Sequence, residues 1–350
     1  MSTSSSLGLA PASVDCVDYH TAGEPFRIVT EGVVDIPGET VAERRALALD
    51  PDGAPGAGAL DTVRRLLCHE PRGHADMYGG FLVPPDDPGA HLGVLFWHKD
   101  GYSTACGHGT IALGAWAVEA GRVAAPDDGS VEVRIDVPSG RVAATVHRAA
   151  GRTTAVSFRN VPARVTALDE QVEIPGLGQA RVDLVHAGAC YASLPAAALG
   201  LEAAPADLHR LIWAARRIRA ALAGHPATVD PLDERLSGVY GVIFHQELPD
   251  DASGALRQRN VTVFADGQVD RSPCGSGTSA RLALLDARGQ LAPDRELRHE
   301  SLIDTAFTAR ALHRTSRGLV TEVTGSAHLT GFHRFVLDPQ DRLGTGFVLR

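Results

Sequence analysis

The sequence predicts an α+β fold of two similar lobes, and three observations carry that prediction. Short apolar runs flanked by Gly, Pro or polar residues outnumber the helix-like stretches, strands and helices do not alternate regularly, and one glycine-rich motif occurs twice, about half a chain apart.

The strand signals come at Ile28-Val29, Gly93-Val94-Leu95-Phe96-Trp97 and Val242-Ile243-Phe244, each a run too short for a helix and bounded by breakers. Val131 to Val137 alternates strictly, as a half-buried strand does. Helices are expected over Asp61–Leu67, Thr110–Ala120, Ala206–Leu222 and Thr278–Ala287, the second and fourth closing at Gly121 and Gly289. Glycine-rich turns at 53–58 and 176–178 punctuate the chain. The polar opening Met1-Ser2-Thr3-Ser4-Ser5-Ser6 lacks the basic and apolar blocks of a secretory signal and reads as a loose tail over residues 1–13.

Bulk properties narrow the function. At 350 residues the chain is long enough for two ordinary domains. No apolar run approaches the roughly 18 to 20 residues that span a bilayer, so no membrane role is expected and the cytoplasm is the expected compartment. A formal charge of −9 argues against a nucleic-acid partner. Five scattered cysteines, without a C-x-x-C pair, suit neither a disulfide framework nor a zinc knuckle. Cys16 and Cys68 are expected as core fillers, and Cys190 is open between packing and lining a pocket. His69-Glu70-Pro71-Arg72-Gly73-His74 has the wrong spacing for a zinc-protease helix, which Pro71 and Gly73 would break in any case.

The repeated motif is Cys106-Gly107-His108-Gly109-Thr110 and, 168 positions later, Cys274-Gly275-Ser276-Gly277-Thr278. Each copy opens a helix-like stretch, where bare backbone N–H groups can receive an anion. The helix dipole there favours thiolate, so both cysteines are expected to have lowered pKa values. The stretch from Thr110 to Val118 is apolar all round and should be buried inside its lobe. Two cysteines facing each other across a cleft can take a proton from one side of a carbon and return one on the other, and they must titrate as a coupled pair.

The strings Asp270-Arg271-Ser272-Pro273-Cys274-Gly275-Ser276-Gly277-Thr278-Ser279-Ala280 and Ser103-Thr104-Ala105-Cys106-Gly107-His108-Gly109-Thr110 resemble the two active-site motifs of the proline racemase family. Supporting matches are His20 to Pro25, His69 to Gly79 and Val323 to His328, so the resemblance covers roughly residues 14 to 350.

The resemblance implies two pseudo-symmetric lobes, each a mixed sheet or barrel wrapped around a central helix, the fold also used by diaminopimelate epimerase. It implies a first lobe over 14–150 carrying Cys106 and completed by 330–350, and a second lobe over 151–329 carrying Cys274. A homodimer and the absence of metal and pyridoxal phosphate are implied as well.

Residue by residue, Cys106 and Cys274 become the acid/base pair, while Asp270 and His108 meet the nitrogen of a small imino acid. Backbone N–H groups of Gly107, His108, Gly275, Ser276, Gly277 and Thr278 receive its carboxylate. The implied activity is a cofactor-independent racemase or epimerase inverting the α-carbon of proline or hydroxyproline. The alternative is a trans-3-hydroxy-L-proline dehydratase, a branch of the family that the stretch Gly101-Tyr102-Ser103-Thr104 resembles, but whose second cysteine position is threonine. Diaminopimelate epimerase, with different flanking motifs, and a catalytically silent amino-acid binder are further readings. Cys190 stands where relatives often place an aromatic, and Asp304 where glycine is usual, which leaves the pocket shape open.

Overall fold

The computed structural model describes residues 11–250, 254–292 and 294–349. Of the tail expected over 1–13, residues 1–10 lie outside that range, and Ser13 already opens the first strand, Ser13–Thr21. That strand turns back into Glu24–Glu31 through Ala22 and Gly23, both at positive φ (52° and 95°), as a tight two-residue hairpin turn requires.

All 18 strands among the described residues belong to one continuous mixed sheet, whose pairing pattern runs twice. In the first half Glu24–Glu31 pairs parallel with Tyr78–Val83, which pairs antiparallel with Leu92–His98, which pairs parallel with Gly129–Val137, which pairs antiparallel with Gly140–Ala149. In the second half Cys190–Pro195, Val239–Leu248, Leu256–Phe264, Leu297–Glu300 and Ala306–Thr315 repeat the same parallel and antiparallel sequence. The halves join where Gly318–Gly325 pairs with Arg152–Arg159. The last strand, Ala327–Val336, returns to pair with Ser13–Thr21.

Five α-helices complete the described chain: α1 Val41–Ala48, α2 Ala57–Cys68, α3 Gly107–Glu119, α4 Leu208–Ala221 and α5 Gly275–Ala287. Four cover the expected stretches, starting one turn earlier in α2, α3 and α5. The Gly121 and Gly289 stops are present at φ 67° each. Sequence reading missed α1, although Thr40 and Glu43 form a full capping box at its start.

Helices α3 and α5 occupy equivalent places. The first packs on Gly140–Ala149 and Arg152–Arg159, the second on Ala306–Thr315 and Gly318–Gly325. Every residue of α3 from Gly107 to Val118 is buried, as its apolar composition demands. Burying a helix on all sides leaves no solvent to satisfy polar groups, and the one cation in α5, Arg281, donates to Gln258 Oε1 and Ser193 Oγ, both at 3.1 Å. Outside the sheet, α1 and α2 cover the first half and α4 the second, each over its own apolar layer.

Val131 to Val137 forms the expected strand, but its alternation fails at Asp136, which is buried. Its carboxylate accepts from Arg141 at 2.8 Å and from the Asp86 N–H at 2.9 Å, so an ion pair stands in for the outward polar face. No helix among the described residues is long and apolar enough to cross a membrane.

Candidate active site between two helix N-termini

Cys106 is the N-cap of α3 and Cys274 the N-cap of α5. Each thiol sulfur accepts a hydrogen bond from the backbone N–H three residues on, Gly109 at 3.2 Å and Gly277 at 3.3 Å. The two helix starts abut through their glycines. A β-carbon on Gly107 would lie 2.6 Å from the Gly275 α-carbon, and one on Gly275 would lie 2.7 Å from the Gly107 α-carbon. The motif glycines are therefore required by contact between the two halves, beyond any turn geometry.

The turns differ in one respect. Cys106 is extended at φ −155°, whereas Cys274 sits at φ 63°, a strained conformation for a residue with a side chain. The Cys274 backbone is held from both sides: its N–H donates to Ser272 Oγ at 3.1 Å, its carbonyl accepts from the Thr278 N–H at 2.7 Å, and Asn260 Nδ2 donates to the preceding Pro273 carbonyl at 3.0 Å.

Both thiols reach one small cavity of about 20 Å³, walled by Tyr78, Ala105, His108, Tyr191, Tyr240, Thr262, Phe264 and Asp270 and floored by Gly107, Gly275 and Ser276. Cys106 is 6% and Cys274 7% exposed. Burial holds both thiols well above their ordinary pKa, against the lowering pull of the Gly109 and Gly277 N–H groups, and the Asp270 charge raises both further. This corrects the expectation of thiols lowered by the helix ends. Loss of water outweighs the dipole when the group is this deep. A Cys274 thiolate raises Cys106 further, so the two thiols do not ionise together.

Asp270 is buried, and its Oδ1 accepts from the Ser272 N–H at 2.8 Å and Ser272 Oγ at 2.7 Å. Burial raises its pKa to about 6. Its Oδ2 lies 3.9 Å from His108 Nδ1, and both ring nitrogens of His108 lie 3.5 Å from the Cys106 sulfur. Burial lowers His108 to about 3, so the imidazole is neutral near pH 7 and can accept a hydrogen bond.

Of the residues singled out in sequence, Cys106, Gly107, His108, Asp270, Cys274, Gly275 and Ser276 converge on this cavity. Gly277 and Thr278 stand apart. The Gly277 N–H is engaged by the Cys274 sulfur and the Thr278 N–H by the Cys274 carbonyl, while Thr278 Oγ1 lies 2.8 Å from His299 Nδ1. Of the six N–H groups expected to receive the carboxylate, those of Gly107, His108, Gly275 and Ser276 precede the first intrahelical bonds. Ser276 Oγ is buried without a hydrogen-bond partner among the described residues.

Cys190 packs in the apolar layer under α4, with Cys16 and Cys68 in that under α1 and α2. Its neighbour Tyr191 lines the cavity instead. Asp304 adopts φ 62°, so a residue tolerant of the left-handed region occupies a glycine-like backbone, and its carboxylate pairs with Arg259 outside the cavity.

Sequence reasoning placed Tyr191 in a site-lining stretch but overlooked the rest of the aromatic wall, Tyr78, Tyr240 and Phe264, and the buried acid Glu24. Glu24 Oε2 accepts from the Arg271 N–H at 2.7 Å, and Oε1 has no partner among the described residues. Burial, then the Asp270 charge, pushes its pKa well up. Tyr78 and Glu24 lie inside the supporting motifs, which was the one available signal; Tyr240 and Phe264 gave none. No group of three or more His, Cys, Asp or Glu side chains among the described residues is placed to hold a metal ion.

An α+β fold built from a repeated pairing pattern thus brings two cysteines on abutting helix starts to one cavity. The proline racemase family model matches residues 16–348, and the chain belongs to that family. A trans-3-hydroxy-L-proline dehydratase from Bacillus cereus is 41% identical over 337 residues, covering 95% of this chain and 97% of the relative. A 3-hydroxyproline 2-epimerase from Burkholderia multivorans is 39% identical over 344 residues, covering 97% and 98%. The crystal structure of a hydroxyproline epimerase from Agrobacterium vitis with bound trans-4-hydroxy-L-proline superposes with a TM-score of 0.86 at 30% identity, covering 97% of this chain and 96% of that one. At 12% identity a methylitaconate Δ-isomerase still superposes with a TM-score of 0.55, which shows the fold alone.

Proposed function

We propose that this enzyme inverts the α-carbon of a hydroxyproline by a two-base mechanism. The observation that carries the reading is the pair of cysteine thiols at abutting helix N-termini, opening on one cavity from the two halves of the chain. One thiolate takes the α-proton from its face and the other thiol delivers a proton to the opposite face, so the two exchange roles with the direction of reaction.

The substrate carboxylate sits on the N–H groups of Gly107, His108, Gly275 and Ser276, with Ser276 Oγ as a further donor. These donors face charge that grows as the α-carbon becomes carbanion-like, which is where preorganised dipoles lower a barrier most. The substrate ammonium lies between Asp270 and the neutral His108. Its positive charge also favours the ionised Asp270 and offsets the repulsion among the buried anions. Nothing in this scheme calls for a metal or an organic cofactor.

The names of relatives at about 40% identity support a second reading, elimination of water from trans-3-hydroxy-L-proline. Elimination needs one base on one face, and Cys274 is then surplus. The deciding measurement is α-proton exchange in D₂O for both α-epimers of a hydroxyproline, with Cys106→Ser and Cys274→Ser. Inversion predicts that each variant loses epimerisation by about 10²- to 10⁴-fold, the scale of lost acid/base help, with residual exchange favouring opposite epimers. Epimerisation at the wild-type rate by Cys274→Ser, or a cyclic imine as the only product, would overturn it in favour of dehydration.

A further inference from the structure

A second cavity lies outside the site described above. It encloses about 670 Å³, a volume typical of small-molecule pockets, where the two thiols share about 20 Å³. Ser139, in the turn before strand Gly140–Ala149 of the first half, walls it on one side. Arg164, His186 and Asp230 of the second half wall it on the other, with Arg317 in the turn before strand Gly318–Gly325. The two cavities share no lining residue among those described, and they are parted where Gly188 meets Ala105. A β-carbon on Gly188 would lie 2.8 Å from that of Ala105, and Thr104 Oγ1 donates to the Gly188 carbonyl at 2.7 Å.

The charges around this second cavity are unevenly paired. Arg141 is held by Asp136 at 2.8 Å and Asp87 at 2.9 Å, Arg159 by Glu132 at 2.8 Å, and Asp233 by Arg235 at 2.6 Å. Asp230 Oδ1 accepts from the Leu232 and Asp233 N–H groups, and its Oδ2 lies 3.4 Å from Arg164. The Arg317 guanidinium has no hydrogen-bond or ion-pair partner among the described residues. A β-carbon on Gly318 would lie 3.3 Å from the Arg164 N, so the two arginines leave neighbouring backbone. Both lining carboxylates are thus engaged while guanidinium N–H groups are left over, a balance that favours an anion.

His186 adds a second demand. It ends strand Gly178–His186 at 5% exposure, its Nδ1 lies 3.3 Å from Asp230 Oδ2, and its buried Nε2 has no hydrogen-bond partner among the described residues. The Asp230 carboxylate draws the ring proton to Nδ1, and burial keeps the ring neutral near pH 7, so Nε2 offers a lone pair. Leaving a buried acceptor unpaired costs free energy that a ligand donor offsets. We propose that this cavity is a second binding site, for a small hydroxycarboxylate whose carboxylate meets Arg317 and Arg164 and whose hydroxyl donates to His186 Nε2.

The test is calorimetric titration of the enzyme with malate and with succinate, which share a chain length and two carboxylates and differ by one hydroxyl. The expected result is one malate per chain, bound more tightly than succinate. Arg317→Gln should weaken both by about 10- to 150-fold, the scale of a hydrogen bond to a charged group, and His186→Phe should erase the preference for malate. Arg317 is exposed, so its variant keeps the test open if the buried His186 variant does not fold. A five-membered ring carboxylate with a planar α-carbon, placed in the catalytic cavity, should leave malate binding unchanged. Competition between the two would put malate between the thiols and overturn the inference, as would the absence of saturable malate binding or undiminished binding by Arg317→Gln. Equal affinity of the wild type for malate and succinate would remove the hydroxyl from the ligand. Each of these readouts is binding, so the α-carbon reading stands or falls separately.

Discussion

At Asp270 a single side chain sets the charge of the site. Its carboxylate is buried at a pKa of about 6, while the unfolded chain has the ordinary 3.8. The folded form therefore binds the extra proton between those values, and stability falls as pH rises from about 4 through about 6. Asn at this position keeps an oxygen for Ser272 and removes the ionisation. Asp270→Asn should therefore raise the melting temperature at pH 7 and leave it nearly unchanged at pH 4, as calorimetry at the two pH values would show. The same change should cut kcat/KM roughly 10- to 150-fold, the equivalent of about 1.5 to 3 kcal/mol for a hydrogen bond to a charged group. The wild-type acid limb, set as Asp270 gains its proton near pH 6, should vanish in the variant; a limb that persists assigns it to another group.

Among elements, the contact between α3 and α5 is the decisive one. Gly107 and Gly275 admit the opposing backbone at distances no β-carbon tolerates. Gly107→Ala must push the helix starts apart, at the typical overpacking cost of about 1 to 3 kcal/mol. It should also lower α-proton exchange by more than the stability loss explains, because the thiols then straddle the substrate at the wrong separation. Denaturant unfolding and D₂O exchange on the same sample check both parts. The helices themselves were legible: all-apolar composition and a closing glycine marked α3, and much the same pattern marked α5. Helix α1 was equally legible through Thr40 and Glu43, but its one buried stripe of Val41, Arg44 and Ala48 is too polar to stand out by hydropathy.

For the whole molecule, we propose that the two halves move relative to each other before chemistry begins. Both thiols are almost sealed from solvent, and the small cavity they reach is lined by groups from both halves. A substrate ring therefore enters through an opened state, and its carboxylate, held by both helix N-termini, favours closure. Alkylation of Cys106 and Cys274 by iodoacetamide should be slow in the free enzyme. A five-membered ring carboxylate with a planar α-carbon, which resembles the carbanion-like state, should slow it further. Peptide mapping separates these sites from Cys16, Cys68 and Cys190. Labelling that is fast and unaffected by such a ligand would show an open site and remove closure from the scheme. The division of the chain into lobes over 14–150 with 330–350 and over 151–329 remains our proposal for the bodies that move.

The chain's local patterns by themselves determined the α+β class, the two helices that open with cysteine, and the family, because each of these is written in residues close together in sequence. Only the tertiary structure decided the rest. The abutment of Gly107 on Gly275, the upward pull of burial on both thiols and the meeting of Tyr78 with Tyr240 all arise between segments more than a hundred positions apart, or from the loss of water that closing them together brings. Solvation and long-range contact are properties of the folded volume, and no short stretch of sequence carries them.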